Sequence, residues 1–151
     1  MRIFLDSNVL VAAFLTRGLC AELMALVVEE HELIIADQVL DEVRRILVEK
    51  IRSQPADVEE LLTMLRERAA ETTPPQPGEP PEVEILVRDR TDAPLVNAAI
   101  AGGADVLVSG DRDLLEAVLP IRVLSPRDLW QILRGSSQPD TVHEAAEPFG
   151  T

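Results

Sequence analysis

Short runs of Leu, Ile and Val recur along this chain and alternate with longer segments that have helical periodicity. Within each run the apolar residues are nearly continuous, which is typical of strands that are covered on both faces. Strands that alternate with helices predict an α/β fold with a parallel sheet between two layers of helices. The predicted strands are Arg2–Asp6, Glu32–Ala36, Val83–Val87, Asp105–Ser109 and Ile121–Leu124.

The segments between these strands are predicted to be helical. The predicted helices are Val9–Leu15, Cys20–Glu30, Asp37–Ile51, Pro55–Glu71, Pro94–Ala101, Asp111–Val118 and a last one from Pro126 to Arg134. The segment Thr72–Pro81 is too rich in Pro for a helix, so we expect an extended connector there. A domain boundary is the alternative, but it would leave the first part of the sheet without its C-terminal strands. From Gly135 onward the periodicity is lost, which predicts a disordered tail over 135–151.

The bulk composition excludes several classes of protein. The length of 151 residues suits one domain. The net charge of −13 argues against a protein that binds nucleic acid through a broad basic surface, but not against a nuclease whose carboxylates hold metal ions. No apolar run reaches the roughly 20 residues of a membrane span. A single cysteine, Cys20, permits no intrachain disulfide, so we expect a cytoplasmic protein and no membrane partner.

Acidic residues follow each of the first four predicted strands. Ligands of open α/β sheets bind beyond the carboxyl ends of the strands, so these acids are expected to meet at one edge. This coincidence is the main functional signal in the sequence. The acids are Asp6 after the first strand, Asp37 and Glu42 after the second, Asp89 and Asp92 after the third, and Asp111 and Asp113 after the fourth.

Each of these acids also has a simpler structural interpretation. Asp37 precedes a predicted helix and is assigned to capping, and Asp92 and Asp111 also stand where an N-cap is expected. Glu42 lies at the margin of the apolar stripe of its helix at about 100° per residue, whereas Asp41 points away from the stripe. A surface salt bridge is the alternative role for Glu42.

Taken together, Asp6, Glu42, Asp92 and Asp111 would bring four like charges into one cleft, which is unfavourable without a counterion. The short motifs around Asp6 and Glu42 offer no Lys or Arg to neutralise them, so we expect divalent cations. Oxygen-only ligands select a hard ion such as Mg²⁺ or Mn²⁺. Zinc is not expected, because one Cys and two distant His provide no ligand spacing.

Four motifs in series resemble the PIN-domain family. They are "FLDSNVLVAAF", "ADQVLDEVRRIL", "VRDRTDAPLVNAAIAGGAD" and "VLVSGDRDLL", and the resemblance covers about residues 1–134. Within the family, the chain is most similar to the toxins of bacterial and archaeal toxin–antitoxin modules. The resemblance implies a PIN-like nuclease domain over 1–134, a sheet in the order 3-2-1-4-5, and a metal-dependent endoribonuclease.

The resemblance also implies a role for individual residues. It carries the first family acid onto Asp6, the second onto Glu42 and the fourth onto Asp111, and the third falls on Asp92 or on Asp89. Asp6, Asp92 and Asp111 would hold Mg²⁺ or Mn²⁺, and Asp113 would bind water or a second ion. Ser109 and Asn8 match small polar positions of the motif and are supporting residues.

The partners implied by the resemblance are an RNA substrate and a cognate antitoxin that covers the acidic cleft. A homodimer through Leu19–Val28 or Leu61–Leu65 is a further expectation, although these apolar stripes serve equally well as core. The main alternative is a PIN-fold interaction module with weak or vestigial nuclease activity.

Two other enzyme classes with acidic α/β sites fit poorly. A receiver domain needs a Lys after the fifth strand, where this chain has Ser125-Pro126. A haloacid-dehalogenase-type phosphatase needs a second Asp at the position of Asn8.

Overall fold

The structure, a computed structural model, describes residues 1–74 and 92–137. Strands and helices alternate along both described ranges, as the apolar runs predict. The strands are β1 (Arg2–Leu5), β2 (Glu32–Ala36), β3 (Glu71–Thr73), β4 (Val106–Val108) and β5 (Arg122–Leu124). The helices are α1 (Ser7–Leu15), α2 (Leu19–Glu30), α3 (Asp37–Arg45), α4 (Pro55–Arg68), α5 (Ala93–Ala101), α6 (Arg112–Glu116) and α7 (Pro126–Ser137).

The strands form one parallel sheet in the order β3-β2-β1-β4-β5, with helices flanking it. The predicted fold class and strand order are therefore confirmed. β1 is the central strand and pairs with β2 on one side and with β4 on the other. Its residues Ile3, Phe4 and Leu5 are completely buried, which explains why their run is uniformly apolar. The carboxyl end of β1 therefore opens in the middle of the sheet edge.

The strand beside β2 differs from the prediction. It is Glu71–Thr73, which pairs with Ile34–Ala36, and not Val83–Val87. The predicted strand at Val83–Val87 lies outside the described residues, as does most of the predicted connector Thr72–Pro81. β3 is only three residues long and begins with Glu and Thr, so it has no apolar run that would mark it in the sequence. The strand conformation of β3 follows from its pairing with β2 and is not indicated by its own composition.

Several helix ends also differ from the prediction. α1 begins at Ser7 rather than Val9, because Asp6 caps it. The helix predicted over Asp37–Ile51 is interrupted: α3 ends at Arg45, and a π-helical turn follows over Ile46–Lys50, where the Ile51 amide donates to the Ile46 carbonyl. α7 continues to Ser137, three residues beyond Arg134, where the prediction ended it. The rest of the predicted tail, 138–151, lies outside the described residues.

The core is aliphatic. It joins the sheet to the buried faces of the helices. These faces include Leu10 on α1, Leu23 on α2, and Leu62 and Leu65 on α4. Much of the predicted dimer stripe Leu61–Leu65 is therefore part of this core. Within residues 1–74 and 92–137, no single helix is long and apolar enough to cross a membrane; α1 and α2 meet that criterion only as a pair, and they are bent by 109°.

Glycine is needed at the two positions after α5 for different structural reasons. Gly103 has a φ of +71°, as a residue that ends a helix often needs. Gly102 has ordinary helical angles but lies against the sheet, where a Cβ would stand 2.6 Å from Ile34 Cγ2 and 2.8 Å from Thr73 Oγ1. Its small size allows α5 to approach the β2–β3 edge.

We expect Gly102→Ala to lower the free energy of unfolding by about 1–3 kcal/mol, because the new methyl group would displace buried neighbours. Urea unfolding followed by circular dichroism measures the change. Gly110→Ala is the matched control, since a Cβ there meets nothing within 4 Å. Equal stability of the two variants would contradict this account of Gly102.

Candidate functional site

A cavity of about 210 Å³ opens at the carboxyl edge of the sheet, beyond the end of β1. Its walls come from the β1–α1 junction, the first turns of α3, the start of α5 and the loop after β4. Four carboxylates that are far apart in the sequence line this one cavity. The lining residues are Asp6, Ser7, Asn8, Gln38, Val39, Glu42, Asp92, Leu95 and Asp111.

Asp6 is the most enclosed of these acids, with only 7% of its surface exposed. Its Oδ1 accepts a hydrogen bond from the Ser7 amide at 2.6 Å, and its Oδ2 accepts one from the Ser109 hydroxyl at 2.7 Å. Its own amide donates to the Val108 carbonyl at 2.9 Å. One carboxylate oxygen is thus oriented by the first residue of α1 and the other by the residue that follows β4, and the side chain has little freedom to turn.

Burial raises the pKa of the Asp6 carboxyl above its ordinary value, and the nearby Glu42 carboxylate adds to the rise. The hydrogen bonds from Ser109 and Ser7 act in the opposite direction, because they stabilise the charged form. Burial is the largest of these effects. The ionised Asp6 is therefore costly in the folded protein, and a bound cation would offset that cost.

Glu42 reaches the cavity from α3, as its position at the margin of the apolar stripe predicts. The Ser7 hydroxyl donates a hydrogen bond to its Oε1. Its Oε2 lies 3.8 Å from the guanidinium of Arg45, so the alternative prediction of a salt bridge also holds. The expectation that no Arg stands near Glu42 is wrong, because Arg45 follows it at the i+3 spacing of a helix.

Asp111 lines the cavity and is also the N-cap of α6, where its Oδ1 accepts from the Asp113 amide at 2.9 Å. Asp111 is therefore both a helix cap and a cavity residue. Ser109 is fully buried and accepts from the Asp111 amide at 3.0 Å while it donates to Asp6. One hydroxyl thereby links the carboxylate of Asp6 to the main chain at Asp111.

The remaining predicted residues divide into three groups. Asp92 and the exposed Asn8 both line the cavity, and Asp92 stands at the N-cap position of α5 without a capping hydrogen bond from its side chain. Asp113 is not among the lining residues, so the structure does not bring it to the cavity. Asp89 lies outside the described residues.

Asp37, which was assigned to capping, is not a cap. It is the first residue of α3 and forms an ion pair with Arg66 at 2.8 Å. An acid in the first turn is favourable to the helix dipole, which explains Asp37 without a role in the site.

Among the polar lining residues, two were not predicted as site residues, Ser7 and Gln38. A signal for each was present in the sequence. An N-cap assignment for Asp6 would have started α1 at Ser7, and Gln38 precedes Glu42 by four residues, which places both on one helix face.

The donor set suits a hard divalent cation by its chemistry, because it consists of carboxylate oxygens with polar neighbours. In residues 1–74 and 92–137, however, no three acidic, His or Cys side chains converge closely enough to hold an ion as they stand. Asp6 and Glu42 are instead engaged by serine hydroxyls. The residues fit such an ion in their chemistry and in their placement around one cavity, and side-chain movements would have to bring their oxygens together.

We expect Asp6→Asn to gain stability relative to the wild-type protein as the pH rises. A raised pKa in the folded state means that the protonated form contributes stability at low pH, which is lost as the pH rises through that pKa. Asn stays neutral and avoids this loss. Urea unfolding of metal-free protein at several pH values measures it.

Asp41→Asn is the control for the loss of one negative charge, because the Asp41 side chain is 70% exposed. A stability difference between Asp6→Asn and wild type that stays constant with pH would contradict the electrostatic account of Asp6.

Comparisons with known proteins agree with this architecture. The family model described as "PIN domain" matches residues 2–113. The structure is similar to VapBC2 from Rickettsia felis, crystallised with a DNA fragment from its promoter, with a TM-score of 0.62 and 16% identity over 83% of this chain and 98% of that chain. It is also similar to PAE2754 from Pyrobaculum aerophilum, with a TM-score of 0.61 and 19% identity over 91% of each chain.

At these identities the structural similarity shows a shared fold. No curated protein sequence matches this chain. PIN domains are generally nucleases and generally use divalent metals. The match to the family model spans most of the chain and includes all four cavity-lining acids together with Ser109, so the chain belongs to the PIN-domain family.

Proposed function

We propose that this protein is a Mg²⁺- or Mn²⁺-dependent endoribonuclease and the toxin of a toxin–antitoxin pair. The observation that carries the proposal is the placement of four carboxylates around one cavity at the carboxyl edge of the sheet. The catalytic assignment is Asp6, Glu42, Asp92 and Asp111. Membership of a family of nucleases supports hydrolysis of phosphodiester bonds as the reaction.

A divalent cation in such a site would lower the pKa of a coordinated water and stabilise the charge that develops on the phosphate. Asp6, Asp92 and Asp111 are the residues that we expect to hold it. Ser109 orients Asp6 through a 2.7 Å hydrogen bond, so that one carboxylate oxygen keeps a fixed direction. The polar, exposed Asn8 lies at the cavity wall, where it can contact the substrate backbone.

The partners proposed are RNA and an antitoxin. With a net charge of −13, binding of a phosphate backbone would depend on the cation at the site rather than on a basic surface. The shared fold with VapBC2 supports an antitoxin partner. A cationic antitoxin side chain among the carboxylates would replace the cation in neutralising them.

The second candidate is a PIN-fold interaction module with weak nuclease activity. The observation that favours it is that no three potential ligands converge in the described parts of the chain. Arg45 beside Glu42 also supplies a positive charge without any metal ion. Metal binding separates the two candidates.

We expect purified protein with Mn²⁺ to cleave RNA, and Asp6→Asn to lower the rate by at least about 100-fold, because the variant loses a charge that holds the cation. Electrophoresis of single-stranded and structured RNA measures cleavage, and EDTA should abolish it. Asp41→Asn, which changes an exposed acid one position before Glu42, is the control and should retain activity. Cleavage that survives both Asp6→Asn and EDTA would refute the proposal.

We expect Mn²⁺ to raise the melting temperature of the wild-type protein. An ion present at 100 times its dissociation constant stabilises the folded state by about 2.7 kcal/mol. Differential scanning fluorimetry with and without Mn²⁺ measures the shift, which should disappear in Asp111→Asn and persist in Asp41→Asn. No shift of the wild-type protein at millimolar Mn²⁺ would favour the interaction module.

A further inference from the structure

Ser7 stands between two acids of the cavity that are 36 positions apart in the chain, Asp6 and Glu42. Its hydroxyl oxygen donates to Glu42 Oε1 and lies 3.3 Å from Asp6 Oδ1. The residue is 2% exposed, so water has little access to compete for these contacts. A buried hydroxyl between two carboxylates is an arrangement that the nuclease assignment itself does not require.

The hydrogen bonds around Ser7 show which of the two acids depends on its hydroxyl. A serine hydroxyl has one hydrogen and can donate to only one carboxylate at a time. Asp6 already accepts from the Ser7 amide at 2.6 Å and from the Ser109 hydroxyl at 2.7 Å, so each of its oxygens has another donor. The hydroxyl of Ser7 is therefore available to Glu42.

Glu42 is held from two sides. Ser7 contacts Oε1 from the cavity wall, whereas Arg45, which does not line the cavity, lies 3.8 Å from Oε2. The side chains of Glu42 and Arg45 are 46% and 54% exposed, so the ion pair is in contact with water and is weak. The buried hydroxyl is the contact that keeps the carboxylate of Glu42 at the cavity.

We propose that Ser7 is a positioning residue, whose hydroxyl holds the Glu42 carboxylate beside Asp6 against the attraction of Arg45. The inference rests on the proposed function in one respect, that the cavity binds a cation. Removal of the hydroxyl would let Glu42 turn toward Arg45 and solvent, and the cation would lose a nearby negative charge. The effect should pass through Glu42 and not through Asp6.

Variants of Ser7 can isolate the hydroxyl. Ser7→Ala leaves the main-chain amide that donates to Asp6, and Ala is well tolerated in the first turn of a helix. Ser7→Thr keeps the hydroxyl. Glu42→Ala removes the proposed acceptor, so a double-mutant cycle measures whether the two residues act together.

Isothermal titration with Mn²⁺ tests the inference on wild type, the three single variants and Ser7→Ala/Glu42→Ala. We expect Ser7→Ala to weaken Mn²⁺ binding by about tenfold and Ser7→Thr by less than about threefold. In the Glu42→Ala background, Ser7→Ala should cause no further loss. An equal loss in both backgrounds, or equal losses for Ala and Thr at position 7, would overturn the inference.

Urea unfolding of the same variants without metal separates this inference from the proposed function. We expect the stability effects of Ser7→Ala and Glu42→Ala to be non-additive, because the two changes remove the same hydrogen bond. Wild-type protein that binds no Mn²⁺ but shows this coupling would refute the cation site and retain the positioning role. Additive effects would overturn the positioning role, whatever the Mn²⁺ titration shows.

Discussion

A buried carboxylate at the end of the central strand is the constraint on which the rest of the site depends. Asp6 must be ionised to serve a cation, yet its surroundings raise its pKa. The fold accommodates it with the amide of the first residue of α1 and a hydroxyl from the residue that follows β4, one for each oxygen. Those two donors are in place because β1 pairs with β4 and because α1 begins immediately after Asp6. The orientation of the Asp6 carboxylate therefore depends on the strand order of the sheet.

The sequence was most informative where a residue's role follows from its own neighbours in the chain. The apolar runs of β1, β2 and β4 predict the sheet, and the helical spacing around Glu42 predicts that it faces the cavity while Asp41 does not. β3 could not be predicted in this way, because three residues gain their strand character from pairing with β2. The contact of Ser7 with Glu42 likewise depends on how α1 packs beside α3, which no local pattern encodes.

Several acids of the site have two structural roles at once. Asp6 and Asp111 are helix caps and cavity acids at once, and Glu42 is both a cavity residue and a partner of Arg45. A cap holds a carboxylate in a defined direction with one oxygen, which leaves the other oxygen for a second contact. Capping is therefore a means of orienting these acids, and it does not compete with a role in the site.

The hydrogen bond from Ser109 to Asp6 joins residues that are 103 positions apart. Every chain is synthesised from its N-terminus, so Asp6 leaves the ribosome long before Ser109 and Asp111 exist. Until β4 has been made and has paired with β1, the acids cannot be assembled into one cavity. The cavity therefore depends on contacts between segments from the two described ranges of the chain, and no N-terminal fragment that lacks β4 and the residues after it can contain it.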